Sequence, residues 1–350
     1  MIKIHITDDR IENVKDIFRK WFFRKGNMEK FYNVVKSDKL LREIIFDNES
    51  DYKKWLKCFV NSRLIANKKE ECRKVLERFF FSRFDDDYNL KKYVVDGQSL
   101  KAETKEFFER KYENFRERQA TKIVRELNIK VCPYCNRNYI ELYNYIDSTG
   151  KKKCIFKGEL DHYFSKSRYP QLAISIFNLI PCCKICNHEK LDNDLLTFNP
   201  YFHDEKESYR FKLETLNEND IYDITFEEEI VDLKEKINDS TYVQGNSDNF
   251  KILIEHVNDS YKDIISNSKT IFRLEKKYNN SKGYVKELLK KRYIYNDRYA
   301  EILSENFSDV FASANEVKRT VFSNELNGDS LNERPLSKLT YDILKQLEIL

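Results

Sequence analysis

Apolar residues recur at helical spacing over much of the chain. Ile11, Val14, Ile17, Phe18, Trp21 and Phe22 fall on one face of a 3.6-residue repeat. Similar spacing runs through Leu40–Ile45, Trp55–Ile65 and Val75–Phe81, which predicts a helical region over residues 10–96. Ile2, Ile4 and Ile6 alternate, so a short opening strand is expected before it. Ser99 is placed to cap a long charged helix ending near Leu127. With only seven glycines and five prolines, long helices should outnumber hairpins. Residues 131–190 differ in texture. They hold three of the five prolines and six of the eight cysteines, with short β-prone runs at Tyr139–Tyr145 and Cys154–Phe156. Beyond Phe250 the helical pattern returns and ends on Leu344, Leu347 and Leu350. The expected fold is mainly α with a small α+β core. Residues 1–128 form a helical region, 129–200 the functional domain, and 201–350 an acidic then helical region.

Charge adds an asymmetry that the net value of +4 conceals. Residues 1–100 sum to +6, 101–190 to +7 and 191–350 to −9. A basic front suits a polyanionic partner, although any single charge cluster also fits a solvated helix face. No apolar run reaches the roughly 18 residues of a membrane span. Met1 to Asp9 lacks a signal peptide's apolar stretch, so a reducing cytoplasm is the expected location. There, clustered cysteines read as metal ligands before disulfides.

Cys132-Pro-Tyr-Cys135 and Cys183-Lys-Ile-Cys186 each set two thiolates on a tight turn, with 47 residues between the pairs. Two such turns complete a closed tetrahedral site that suits structural Zn²⁺, and the long gap implies an inserted functional element. A redox pair is the competing reading of one CxxC alone. Cys58 and Cys72 sit in helical patterns as small hydrophobes, and Cys154 and Cys182 fall outside the spacing.

The inserted element carries Glu159-Leu-Asp161-His162, then Asn178-Leu-Ile-Pro181, and Asn187-His-Glu-Lys190 follows the second cysteine pair. This order of CxxC, DH, NL and CxxC-N-x-x-K resembles the HNH endonuclease signature. Within that class it is similar to the nuclease subunit of bacterial Septu-like and retron-associated Septu-like anti-phage systems. The resemblance covers about residues 130–200. It implies a ββα-metal motif, a β-hairpin crossed by a helix that grips one divalent ion, here braced by the Cys₄ zinc site and flanked by helical regions.

Phosphodiester hydrolysis needs a nucleophilic water, a base for its proton and a cation for the developing charge. His162 fits the base, and Asp161 is a hard oxygen ligand for Mg²⁺ or Mn²⁺. The resemblance makes Asn187 the last metal-binding position and gives Asn178 a mainly structural role in tying the loop and orienting the base. His188, next to Asn187, is a competing ligand. Ser165 stands where a proline often follows the DH pair, which leaves the shape of that loop open. Arg137, Lys166, Arg168, Lys184 and Lys190 surround the motif as candidate phosphate contacts, with ordinary surface charge as the alternative for each and bracing as a further one for Arg137. The expected activity is metal-dependent cleavage of DNA, as the effector of an anti-phage system, with RNA as a substrate of the same chemistry. The resemblance also implies control by an ABC or SMC-like ATPase partner. Residues 191–260, with a net −12 that includes Glu227, Glu228 and Glu229, are a candidate surface for self-inhibition or docking. The alternative is a non-catalytic, zinc-braced nucleic-acid-binding or scaffold subunit.

Overall fold

The computed structural model describes residues 1–61, 66–81, 99–193, 195–215, 245–246, 249–295, 297–347 and 349. Glu227, Glu228 and Glu229 lie outside the described residues, as does Leu350. The chain is mainly helical with three two-stranded sheets among the described residues. It divides into two compact bodies, one from Ile4–Ile129 and Ile140–Asp194, the other from Met1–Lys3, Lys130–Tyr139 and Leu195–Leu350. No helix among the described residues is long and apolar enough to cross a membrane.

The first body opens with five helices: α1 (Asp8–Phe22), α2 (Lys25–Ser37), α3 (Lys39–Ile45), α4 (Glu49–Asn61) and α5 (Ala66–Phe80). The apolar stripe read from Ile11 to Phe22 turns inward and meets a cluster of rings. Phe18 stacks on Phe22 at 5.4 Å, Phe22 meets Phe80 at 4.6 Å, and Trp21 meets Phe115 at 5.1 Å. Such rings dominate core energetics because each removes a large apolar area from water. Trp21 also donates its indole N–H to Asn114 Oδ1 at 2.9 Å, so its one polar atom is satisfied.

The long helix expected after Ser99 is instead two. They are α6 (Ala102–Arg118) and α7 (Ala120–Leu127), parted at Gln119, whose φ of −122° leaves the helical range. Ser99 is not the cap; its hydroxyl donates to the Leu100 carbonyl. Buried Asp38 does that work from a distance. One of its carboxylate oxygens caps α3 through Leu41 N–H, and the other accepts Lys101 N–H at the head of α6. α7 stops at Asn128, which takes a left-handed φ of 51° that asparagine tolerates better than most residues.

Two β-pairs follow in this body. β1 (Leu142–Ile146) and β2 (Lys152–Phe156) form an antiparallel hairpin. Its turn is held by Asp147, whose side chain accepts from Thr149 N–H and Lys151 N–H, and by Gly150 at φ 77°. β3 (Glu159–His162) pairs antiparallel with β4 (Leu179–Cys182), Asp161 opposite Ile180 and His162 opposite Leu179. Helix α8 (Lys184–Lys190) begins two residues after β4.

The second body is built on β5 (Tyr209–Thr215) and β6 (Phe250–His256), paired antiparallel after the short helix α9 (Glu205–Ser208). Helices α10 (Lys262–Ile271), α11 (Leu274–Asn279), α12 (Lys282–Ile294), α13 (Asp297–Asn306), α14 (Ala314–Phe322) and α15 (Ser337–Gln346) complete it. An isolated strand pair exposes two unpaired edges, and here helical side chains close both. Along β5, Asp342 accepts Phe211 N–H, Gln346 accepts Leu213 N–H, and Lys338 donates to Tyr209 O. Those three residues are spaced i, i+4, i+8 on α15. Along β6, Glu275 and Asn279 of α11 accept Ile254 N–H and Ile252 N–H.

The alternation of Ile2, Ile4 and Ile6 does not produce a strand. Alternation makes a strand only where a partner offers a ladder, and Ile2 N–H makes a single such bond, to Pro133 O at 2.8 Å. Met1 is buried in this body, and its ammonium donates to the Tyr209 hydroxyl at 2.6 Å.

His203 gives this body a pH dependence. Its Nδ1 accepts Asn199 N–H at 2.9 Å, which requires an unprotonated nitrogen, and burial lowers its pKa to about 4. The unfolded chain takes up that proton near pH 6.5, so it binds more protons than the folded chain between pH 6.5 and about 4. Stability is therefore expected to fall as pH drops through this window, by up to about 1.4 kcal/mol per unit. Denaturant melts of His203→Gln should show a shallower fall, because a glutamine oxygen can accept the same N–H without titrating.

Candidate functional site

The first cysteine pair sits on a closed knuckle. Val131 bridges Tyr139, Cys132 N–H donates to Asn138 O, and Asn136 N–H returns to Cys132 O at 2.8 Å. Asn136 holds a left-handed φ of 47° that lets the chain reverse after Cys135. Its side chain is fully buried: Nδ2 donates to Leu331 O, and Oδ1 accepts Lys338 N–H. Tyr278 donates its hydroxyl to Cys135 O at 2.6 Å, and Tyr134 stacks on Phe272 at 4.5 Å. Asn138 Nδ2 lies 3.9 Å from Cys135 Sγ, a donor aimed at the sulfur.

The second pair occupies the start of α8, with Cys183 at the N-cap position and Cys186 one turn on. All four sulfurs of Cys132, Cys135, Cys183 and Cys186 are buried and lie within 4.8 Å of one another. Tetrahedral zinc with Zn–S bonds of about 2.3 Å sets its sulfurs about 3.8 Å apart. The cluster can therefore hold a structural metal such as zinc with a small contraction. Cys182 is buried beside it, and burial with Asp161 nearby pushes its thiol well above the usual range, so it stays neutral.

Cys183, Cys186 and Lys190 share one face of α8, at positions i, i+3 and i+7, and this face leads to β3. Lys190 was expected to be a surface cation for phosphate. It is instead 2 % exposed, with its ammonium 3.1 Å from Asp161 Oδ2 and 2.6 Å from His162 O. The helical repeat explains the difference, since a residue one turn beyond Cys186 on the buried face cannot reach water. Asn187, one residue after Cys186, is half-buried near that face, whereas His188 is exposed.

His162 is buried at the end of β3, and its ring edge meets Tyr112 at 4.4 Å. Its Nε2 lies 3.0 Å from Ala173 O. A carbonyl can only accept, so Nε2 carries the hydrogen of the neutral ring and Nδ1 is the basic nitrogen. Burial lowers its pKa to about 3, opposed by the bond to Ala173 and reinforced by Lys166 and Lys190. The ring is neutral through the physiological range.

Asn178, just before β4, is wholly buried and brackets the loop that follows His162. Its Oδ1 accepts Phe164 N–H at 2.8 Å, and its Nδ2 donates to Phe164 O and Leu172 O at 3.1 Å each. Ser165 closes the same loop by donating to Asp192 Oδ1 at 2.7 Å. Of the other cations, Lys166, Arg168 and Lys184 are exposed, and Lys166 lies over the Tyr112 ring. Arg137 is a brace, bonded to Ser281 Oγ at 3.0 Å and set over the Tyr278 ring.

Sequence reasoning missed three partners: Lys190 for Asp161, Tyr112 for His162, and Asp192 for Ser165. Only Lys190 left a signal, its helical phase with Cys183 and Cys186. Lys190→Met should cost about 3–5 kcal/mol in denaturant melts, because it leaves Asp161 charged and buried without its ammonium. Adding Asp161→Asn to that variant should recover most of the loss. If the single variant melts like the parent, the buried pair is not as described.

No protein-family model, curated protein or solved structure matches the chain.

Proposed function

We propose that this chain is a metal-dependent HNH endonuclease that hydrolyses DNA phosphodiester bonds, as the effector of a bacterial anti-phage system. One observation carries the reading. On the strand pair β3–β4 and the helix that follows it, Lys190 pairs with Asp161 and donates to His162 O, and Asn178 ties the loop after His162 through Phe164, in the sequence order of the HNH signature.

Each residue then has a task. Asp161 supplies hard carboxylate oxygens, and its buried charge already draws a cation, the Lys190 ammonium. It would hold Mg²⁺ or Mn²⁺ with the side-chain oxygen of Asn187, and His188 is disfavoured by its exposure. Such an ion supplies charge stabilisation on the phosphate and leaving oxygen. His162 would take the water's proton at Nδ1 while Ala173 O fixes the ring through Nε2, and a bound phosphate's negative charge would have to raise its lowered pKa for that step. Asn178 ties the loop that follows the base, through Phe164 and Leu172. Exposed Lys166, Arg168 and Lys184 are the surface cations available to DNA phosphates. A nuclease with little base preference needs restraint, and an ABC or SMC-like ATPase is the proposed partner.

A second reading has its own support. The Lys190–Asp161 pair neutralises the carboxylate, and His162 is buried, so the same residues would also suit a non-catalytic, zinc-braced nucleic-acid-binding subunit. Binding and cutting separate the two. Plasmid DNA that is bound but uncut at any Mg²⁺ or Mn²⁺ level supports the second reading. Cutting of RNA in preference to DNA would keep the chemistry and change the substrate.

A further inference from the structure

The second body contains a cavity of about 520 Å³ that the nuclease reading does not use. Its walls come from β5 and α15, with Lys206 and Val257 also lining it. The volume lies within the range of small-molecule sites, roughly 300–1,000 Å³. Among the described residues its lining is strongly cationic: Lys206, Arg210, Lys212, Lys338 and Lys345 face a single acid, Asp342.

Much of this charge is already matched. Lys338 is buried against Asp342, 2.6 Å from one carboxylate oxygen and 2.7 Å from the other. Lys206 pairs with Asp329 at 2.7 Å. Arg210 and Lys212 share one carboxylate, Glu255, each at 3.1 Å. Among the described residues, Lys345 has no carboxylate at ion-pair distance. Among the described residues two positive charges are therefore left over, one from the Arg210–Lys212–Glu255 group and one from Lys345. A phosphate monoester carries about −2 near neutral pH. Tyr341 and Val257 line the same space and offer ring and apolar surface beside the cations.

We infer that this cavity binds a small phosphate monoester that carries a planar ring, with a nucleoside monophosphate as the simplest member. Arg210, Lys212 and Lys345 hold the phosphate, and Tyr341 receives the ring. Lys338 and Asp342 fix α15 along the edge of β5 and so keep the wall in place.

Titration calorimetry of the full chain with AMP tests this, with adenosine as the phosphate-free control. One AMP per chain is expected, and adenosine should bind at least about tenfold more weakly. Arg210→Gln with Lys345→Gln should weaken AMP by at least about tenfold, because each change removes a charged contact. Both residues are exposed, so the ligand-free melting of the double variant should match the parent and show an intact fold. The inference is overturned if AMP shows no saturable binding, or if the correctly folded double variant binds it as tightly as the parent does.

Discussion

Cys186→Ser and Cys135→Ser are each expected to release the bound metal and to cause the largest stability loss of any single change in the chain. Metal binding in such a site is folding free energy, on the order of 10–16 kcal/mol in isolated zinc-finger peptides. Part of that should persist here, because the knuckle has supports of its own. Tyr278 holds Cys135 O and Asn136 is tied on both amide atoms, so a loss of several kcal/mol is expected rather than complete unfolding. Elemental analysis should find about one zinc per parent chain and much less in either variant. Cys154→Ser is the control, since Cys154 lies on β2 outside the cluster. Parent protein prepared without chelator that carries no tightly bound metal would remove the brace from the site.

His162→Ala is expected to lower DNA cleavage by about 10²–10⁴-fold, the usual contribution of a positioned general base. Zinc content should not change, because His162 is not among the four cysteines of the cluster. Asp161→Asn should lose a comparable amount through metal affinity, and excess Mn²⁺ should restore part of it. The two variants differ in what rescues them. Metal can compensate for a weakened ligand but cannot replace a proton acceptor. Equal rescue of both by Mn²⁺ would remove the distinction between base and ligand, and cleavage by His162→Ala at the parent rate would remove His162 from the chemistry.

Much of the candidate site was legible because its residues are constrained by spacing. The two CxxC pairs lie 47 residues apart in sequence, yet their sulfurs meet within 4.8 Å. The Ile11–Phe22 stripe became α1, and the β-prone runs became the β1–β2 hairpin. What escaped depended on partners distant in sequence. The break at Gln119 and the role of Asp38 depend on contacts that no local pattern records. Ile2, Ile4 and Ile6 alternate as a strand would, but no ladder is available to them. Lys190 looked like one of several surface lysines until the phase of α8 placed it beside Asp161. The cationic cavity on β5 was hidden for a related reason: Arg210 and Lys345 converge only when α15 lies along the strand edge.

The most direct measurement is incubation of the purified, metal-loaded chain with supercoiled plasmid, with and without added Mg²⁺ or Mn²⁺, beside His162→Ala. Nicked and linear products are expected only from the parent chain and only with the added ion. Intact plasmid that the protein nonetheless binds, or equal cutting by the parent and His162→Ala, would contradict the assignment of this site as a nuclease.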